Sequence, residues 1–483
     1  MKLMKRPSSP ESSAKRGEGM SALHYWSIEQ LSEAIRTGEI SPVEVVRTML
    51  DRIEVHDGRL HSYITVMREQ ALARARIAED ELSRGLWRGA LHGVPLAVKD
   101  LFATRDAVTT AGMSIYKDHV PQYDATVVKR LYAAGAILLG KLTLTEGAYT
   151  NNHPIFPVPL NPWNEDYWAG TSSNGSGVAT AAGLTYGALS TDTGGSIRFP
   201  SACNNVTGIK PTWGRVSRYG CFTLSHSLDH VGPFARSAAD AALILQAIAG
   251  PDDRDPTALR ADVPNYREAA KRGLSGLRIG FDESFVSTRT HPEVVAAVEA
   301  ARSVLASLGA RIRPVSFPSP YEALRGWFHI CGSETAKVHA ETYPSRAQDY
   351  HSGMAGLIEH GRTVSGETVA KAWVDRLEFS GQLAAAFEDV DLMLIPTMTT
   401  PTPTLPELEA FGADDDVLLQ MIRYTAPFDL AGNPTIVLPA GFSSANVPIS
   451  LQLVGKHVRE DLLVNAGIGF QSATDWHLRR PFE

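Results

Sequence analysis

Cysteine is scarce: Cys203, Cys221 and Cys331 are the only three in 483 residues, and none stands in a C-x-x-C pair. An odd number in so long a chain does not describe a disulfide framework. Free thiols fit a reducing compartment, so the expected location is the cytoplasm. No apolar run approaches the roughly 20 residues of a membrane span. The first twenty residues carry five Lys or Arg with no apolar stretch behind them, which predicts a disordered tail over 1–20 and not a secretory signal. Excess positive charge is also missing. The net charge of −7 gives no reason to expect a nucleic acid or an anionic membrane as partner. The sequence contains no H-E-x-x-H and no glycine-rich loop ending in Lys-Ser or Lys-Thr, so neither a metal site nor a nucleotide loop is expected.

What is present describes an ordinary globular chain, 43% hydrophobic and 20% charged. Length alone would suggest two or three domains. Apolar residues at helical spacing predict two helices between 27 and 56, broken at 37–42, with Ser41 as cap and Pro42 in the first turn. Further helices are expected at 69–84, 238–249 and 292–308. Short apolar runs at 94–98, 136–139, 188–190, 278–281 and 392–395 read as strands. This alternation predicts an α/β layered architecture around a mixed sheet. Residues 318–386 are largely helical and aromatic, with Tyr321, Trp327, Phe328, Tyr343, Tyr350 and Trp373, and read as a cap-like subdomain. Trp327, Phe328 and Trp373 either cover the site as an apolar pocket or serve as core. The Thr and Pro alternation at 396–406 suggests an extended surface connection.

Chemistry concentrates in Ser190-Thr-Asp-Thr-Gly-Gly-Ser-Ile-Arg-Phe-Pro200. A hydroxyl beside two glycines is open to a substrate carbonyl, and the backbone N–H groups around it can turn toward one oxygen. Ser196 therefore reads as a nucleophile with its own anion site. A serine hydroxyl needs a proton acceptor. Fifteen histidines leave a Ser-His-Asp arrangement open, although no Gly-x-Ser-x-Gly elbow surrounds Ser196. Lys99 follows the apolar run of Gly93-Val-Pro-Leu-Ala-Val-Lys-Asp100, where burial would lower its pKa. Asp192 and Arg198 bracket the loop and read as a structural ion pair. Cys203 reads as buried and inert.

A second serine cluster, Gly170-Thr-Ser-Ser-Asn-Gly-Ser-Gly177, precedes the first, with Ser172 lying 24 residues before Ser196. These phrases resemble the amidase signature family of serine hydrolases. The likeness continues through Gly208-Ile-Lys-Pro-Thr-Trp-Gly-Arg-Val-Ser-Arg-Tyr-Gly220 and Ser227-Leu-Asp-His-Val-Gly-Pro233, and returns in Ala431-Gly-Asn-Pro434 and Pro448-Ile-Ser-Leu-Gln-Leu-Val-Gly455. The resemblance implies one α/β/α domain over 21–483 with a large mixed sheet. It also implies Ser196 as nucleophile, Ser172 as proton relay after a cis peptide, and Lys99 as base. The N–H groups of Thr193, Gly194, Gly195 and Ser196 become the oxyanion donors, with Ser173 as a supporting hydrogen bonder. No cofactor is implied. The family usually has glycines where this chain has Thr171 and Asn174, and their side chains are expected to touch the ligand or narrow the pocket. The expected activity is hydrolysis of amide C–N bonds, with the run through Trp213 similar to aryl acylamidases and urethanases. The expected partner is therefore a small-molecule amide or carbamate, with the chain as monomer or homodimer. The alternative is the glutamine-hydrolysing component of a tRNA-dependent amidotransferase, its A subunit, which the 210–220 run also resembles.

Overall fold

Ser27 and Ser41 each start a helix by accepting a backbone N–H in the next turn, from Gln30 and from Glu44. Ser27 forms a full capping box with Gln30, and Pro42 occupies the first turn of the second helix, so Ile28–Arg36 and Pro42–Leu60 begin where the sequence places them. The computed structural model describes residues 23–411 and 415–482. The expected tail at 1–20 lies outside the described residues. No helix among the described residues is long and apolar enough to cross a membrane.

Among the described residues eleven strands form one mixed sheet: β1 (Tyr63–Val66), β2 (Pro95–Lys99), β3 (Ile137–Leu142), β4 (Gly187–Asp192), β5 (Thr207–Lys210), β6 (His230–Ala235), β7 (Arg278–Phe281), β8 (Arg311–Pro314), β9 (Leu392–Pro396), β10 (Thr435–Phe442) and β11 (Pro448–Gly455). Their spatial order is β1-β3-β2-β4-β6-β5-β10-β11-β9-β7-β8. The β3-β2-β4 group is parallel, as is β8-β7-β9, and antiparallel pairs join the two. β2 to β6 are buried along their whole length, so none shows an alternation of buried and exposed residues. In the parallel group β2 and β4 run side by side, which carries Lys99 and Asp192 to the same edge of the sheet.

Three helices, Tyr321–Val338, Ser352–Thr363 and Gly366–Ala386, occupy the region expected to be helical. The expected extended surface connection at 396–406 is instead a bent stretch that is largely buried over 397–403 and enters a helix, Leu405–Phe411, where the chain becomes exposed. Thr397, Thr402 and Met398 are buried, and Pro403 O accepts the Trp168 N–H at 2.9 Å. Proline has no N–H to satisfy, and the Thr402 hydroxyl finds Pro448 O, so this polar-looking run can pass through the interior.

Candidate active site

Lys99 closes β2 and is completely buried, as is Ser172. Its Nζ lies 2.7 Å from Ser172 Oγ and 3.1 Å from Thr191 Oγ1 on β4. Burial lowers the Lys99 pKa to about 7, against weaker opposing pulls from Cys221, Asp192 and Asp229. Its hydrogen-bond partners are thus hydroxyls and not carboxylates. The peptide between Thr171 and Ser172 is cis. Ser172 is held from its other side by the Thr145 N–H, which donates to Ser172 O at 3.1 Å.

Ser196 is 9% exposed and is the most open of the three expected catalytic residues. Its loop runs from the end of β4 into the helix Arg198–Cys203, and the Asp192 carboxylate organises it. Asp192 accepts from the N–H groups of Gly195 (2.6 Å), Ile197 (3.0 Å) and Arg198 (3.3 Å). Arg198 Nη2 pairs with Asp192 at 2.8 Å and with Asp429 at 2.5 Å, and Nη1 donates to Thr425 O at 2.7 Å. The expected structural ion pair is present, with Asp429 added to it. Burial alone would raise both carboxyls. For Asp192 the Arg198 guanidinium outweighs burial and holds it below the usual range, whereas Asp429 stays well above it.

The relay segment and the nucleophile helix meet at Gly170. A Cβ there would fall 2.5 Å from Pro200 Cα, and φ is +82°, so only glycine permits the approach. Ser196 Oγ makes no hydrogen bond among the described residues, and the direct link between the expected members is Lys99 to Ser172. Of the four expected oxyanion donors, Gly195 differs from the rest because its N–H is already engaged by Asp192. The N–H groups of Thr193, Gly194 and Ser196 make no hydrogen bond among the described residues. Ser173 Oγ reaches Thr191 O at 3.4 Å.

Thr171 and Asn174 face the 149–152 segment. Thr171 Oγ1 donates to Thr150 O at 3.0 Å and lies 3.3 Å from Tyr149 O, while also lining a cavity. Asn174 is buried, its Nδ2 donating to Asn152 Oδ1 at 2.8 Å and its Oδ1 accepting from the Gly175 N–H. Both side chains therefore fasten a wall onto the relay segment, and Asn174, unlike Thr171, does not line the cavity. The cavity holds about 940 Å³, with Tyr149, Thr150, Trp168, Phe328, Leu357 and Met421 in its lining. A smaller one of about 180 Å³, between Trp168, Met398 and Pro403, shares Trp168 and Met421 with it. Trp327 packs on the nucleophile loop, its Nε1 donating to Thr193 O at 2.9 Å. Trp373 does neither. It lies 37% exposed with the Arg376 guanidinium 4.7 Å from its ring, because its position on Gly366–Ala386 faces outward.

Sequence reasoning missed Thr191, Thr425 and Glu146. Thr191 stands inside the nucleophile phrase, next to the end of a buried strand, which was the available signal. Burial raises the Glu146 carboxyl to about 7, and its Oε2 accepts the His351 N–H at 2.9 Å at the start of Ser352–Thr363. Cys203 and Cys331 are buried and Cys221 is half-buried, all three as free thiols.

Comparison with known proteins identifies the family. Residues 44–464 match the Amidase family model. AmiD of Mycobacterium tuberculosis, an amidase by name, is 44% identical over 461 residues, covering 95% of this chain and 96% of AmiD. The corresponding A-type chain of the glutamyl-tRNA(Gln) amidotransferase of Chromohalobacter salexigens is 37% identical, covering 95% and 99%. A bacterial aryl acylamidase of the amidase signature enzymes superposes with a TM-score of 0.84 at 25% identity, covering 94% of this chain and 97% of that one. The chain belongs to the amidase signature family.

Proposed function

We propose that this amidase-family enzyme hydrolyses amides through an acyl-enzyme on Ser196, with Lys99 as the ultimate base and Ser172 as the relay between them. The observation that carries the reading is the buried Lys99 amine, 2.7 Å from Ser172 Oγ with its pKa lowered to about 7. Near neutral pH a large fraction of the amine is uncharged and accepts the Ser172 proton, leaving Ser172 able to accept the proton of Ser196. Ser196 Oγ then bonds to the substrate carbonyl carbon, and the oxygen takes the negative charge. The unpaired N–H groups of Thr193, Gly194 and Ser196 support its stabilisation there. The proton returns through Ser172 to the amide nitrogen as the C–N bond breaks, and the amine departs. Water then attacks the acyl ester, giving its proton to the same relay, and Ser196 is regenerated with release of the carboxylic acid.

The substrate is an apolar, preferably aryl, amide, and an aryl carbamate is open to the same steps. Tyr149, Trp168, Phe328 and Leu357 in the cavity beside Thr171 support this, whereas Arg325 and Glu409 in the same lining are the groups a zwitterion would use. Likeness to the amidotransferase chain keeps glutamine as the competing substrate. A compartment that keeps all three thiols reduced, the cytoplasm, is the proposed location. The deciding experiment gives the purified chain, with no other protein added, an aryl amide, an aryl carbamate and free glutamine. The aryl amide or carbamate should exceed glutamine in kcat/KM by at least about tenfold, a difference of about 1.4 kcal/mol in transition-state binding. Preference for glutamine rejects the substrate reading.

A further inference from the structure

Two carbonyl oxygens of the nucleophile loop are pinned by side chains from outside it. Trp327 Nε1 donates to Thr193 O at 2.9 Å, and Thr425 Oγ1 donates to Gly194 O at 2.6 Å. In a trans peptide the N–H points opposite to the C=O. Pinning Gly194 O turns the Gly195 N–H the other way, where Asp192 Oδ1 accepts it at 2.6 Å. Pinning Thr193 O turns the Gly194 N–H away from the indole in the same manner. No acceptor meets that N–H among the described residues. It is a donor of fixed orientation, without a partner, two residues before Ser196.

Trp327 is 6% exposed and its ring lies directly on Gly194, where a Cβ would come within 2.8 Å of Cζ2. Any larger residue at 194 would push the indole off Thr193 O. Trp327 also meets Phe328 edge-on, with ring centroids 5.0 Å apart, and Phe328 lines the cavity. One helix, Tyr321–Val338, therefore carries both a wall of the cavity and the group that sets the loop peptide.

We infer that Trp327 is a positioning residue for the oxyanion site: its indole N–H orients the Thr193–Gly194 peptide so that the Gly194 N–H is presented to the developing oxyanion, and its contact with Phe328 links occupancy of the cavity to that alignment. The inference rests on Ser196 being the nucleophile. A planar amide carbonyl gains less from this donor than a tetrahedral oxyanion does, so its loss falls on kcat and leaves KM nearly alone.

The test compares wild type with Trp327→Phe, which keeps an aromatic ring, and with 3-benzothienylalanine at 327, which keeps the indole outline but has sulfur in place of N–H. For each, kcat and KM are measured on an aryl amide, together with the affinity for an arylboronic acid, which adds to a serine Oγ as a tetrahedral anion. In both variants kcat and boronate affinity should fall together by about 10- to 100-fold while KM changes by less than about threefold. Unchanged kcat with a raised KM would make Trp327 a cavity wall only and overturn the inference. A loss in the Phe variant that the benzothienyl variant does not share would trace the effect to packing and also overturn it. If Trp327→Phe does not fold, the benzothienyl variant decides alone. Failure of the wild type to form a boronate adduct on Ser196 would remove the nucleophile itself, an outcome visible before any variant is made.

Discussion

Two lysines stand at the ends of neighbouring strands, equally buried and differently neighboured. Lys99 on β2 and Lys141 on β3 both have no exposed side-chain surface. Lys141 has a carboxylate 3.0 Å away, that of Asp100, and donates to Phe102 O and Thr109 Oγ1. Lys99 has the hydroxyls of Ser172 and Thr191. Burial depresses both amines, and at Lys141 the adjacent carboxylate opposes it. Burial is common to both sites, so the partner's charge decides what the lysine does. A paired ammonium ties strands together, and an amine facing hydroxyls is available to move a proton.

The sharpest way to break this contrast is to delete each lysine in turn. Lys99→Ala, like Ser172→Ala and Ser196→Ala, should lower kcat by about 10³-fold or more, and pairs of these changes should cost little beyond the worst single one. Circular dichroism and Tm should change little. Lys141→Met should do the reverse, costing about 3 kcal/mol or more of stability in denaturant titration because Asp100 is left unpaired, while the folded fraction keeps its kcat. A smaller effect sharpens the comparison. Thr191→Asp gives Lys99 the kind of neighbour Lys141 has, so the acidic limb of kcat/KM should move alkaline by about one to three pH units. The sign follows from the mechanism: a carboxylate favours the ammonium, and the ammonium is the inactive form. Least of all, Thr171→Val removes the bonds to Thr150 O and Tyr149 O and should raise KM for a bulky aryl amide by about two- to fivefold at constant kcat, whereas Thr171→Ser should not.

Lys99 was legible because it closes a strand buried on both faces, whereas Ser172 and Ser196 lie outside the strands and were legible from the serine- and glycine-rich phrases around them. Short, mostly apolar runs marked β2, β4 and β9. β6 and β10 escaped because each has a proline in its interior, Pro233 and Pro439, and a missing N–H ordinarily argues against a paired strand. In β10 the register shifts just after Pro439, which accommodates it. The pairing of Asp192 with Arg198 could be read from their closeness in sequence. Asp429 could not, being 231 residues away and brought in only by the fold. Thr171 and Asn174 could be singled out from the sequence, but their contacts to the 149–152 wall could not, because a single sequence does not place that segment beside them. The Thr and Pro run at 396–406 misled because composition reports polarity, while Thr397, Met398 and Thr402 are buried by what packs on them, Thr397 Oγ1 without a hydrogen-bond partner among the described residues.

The central claim is that a lysine neutral near pH 7 activates Ser196. It is tested most directly by measuring the rate at which an aryl phosphonylating reagent labels the protein as a function of pH, with peptide mass mapping of the adduct. The account predicts a single adduct on Ser196, a rate that rises as Lys99 loses its proton with a midpoint near 7, and near-complete loss of labelling in Lys99→Met. Labelling of another serine, or a midpoint near pH 5 that persists in Lys99→Met, would contradict it.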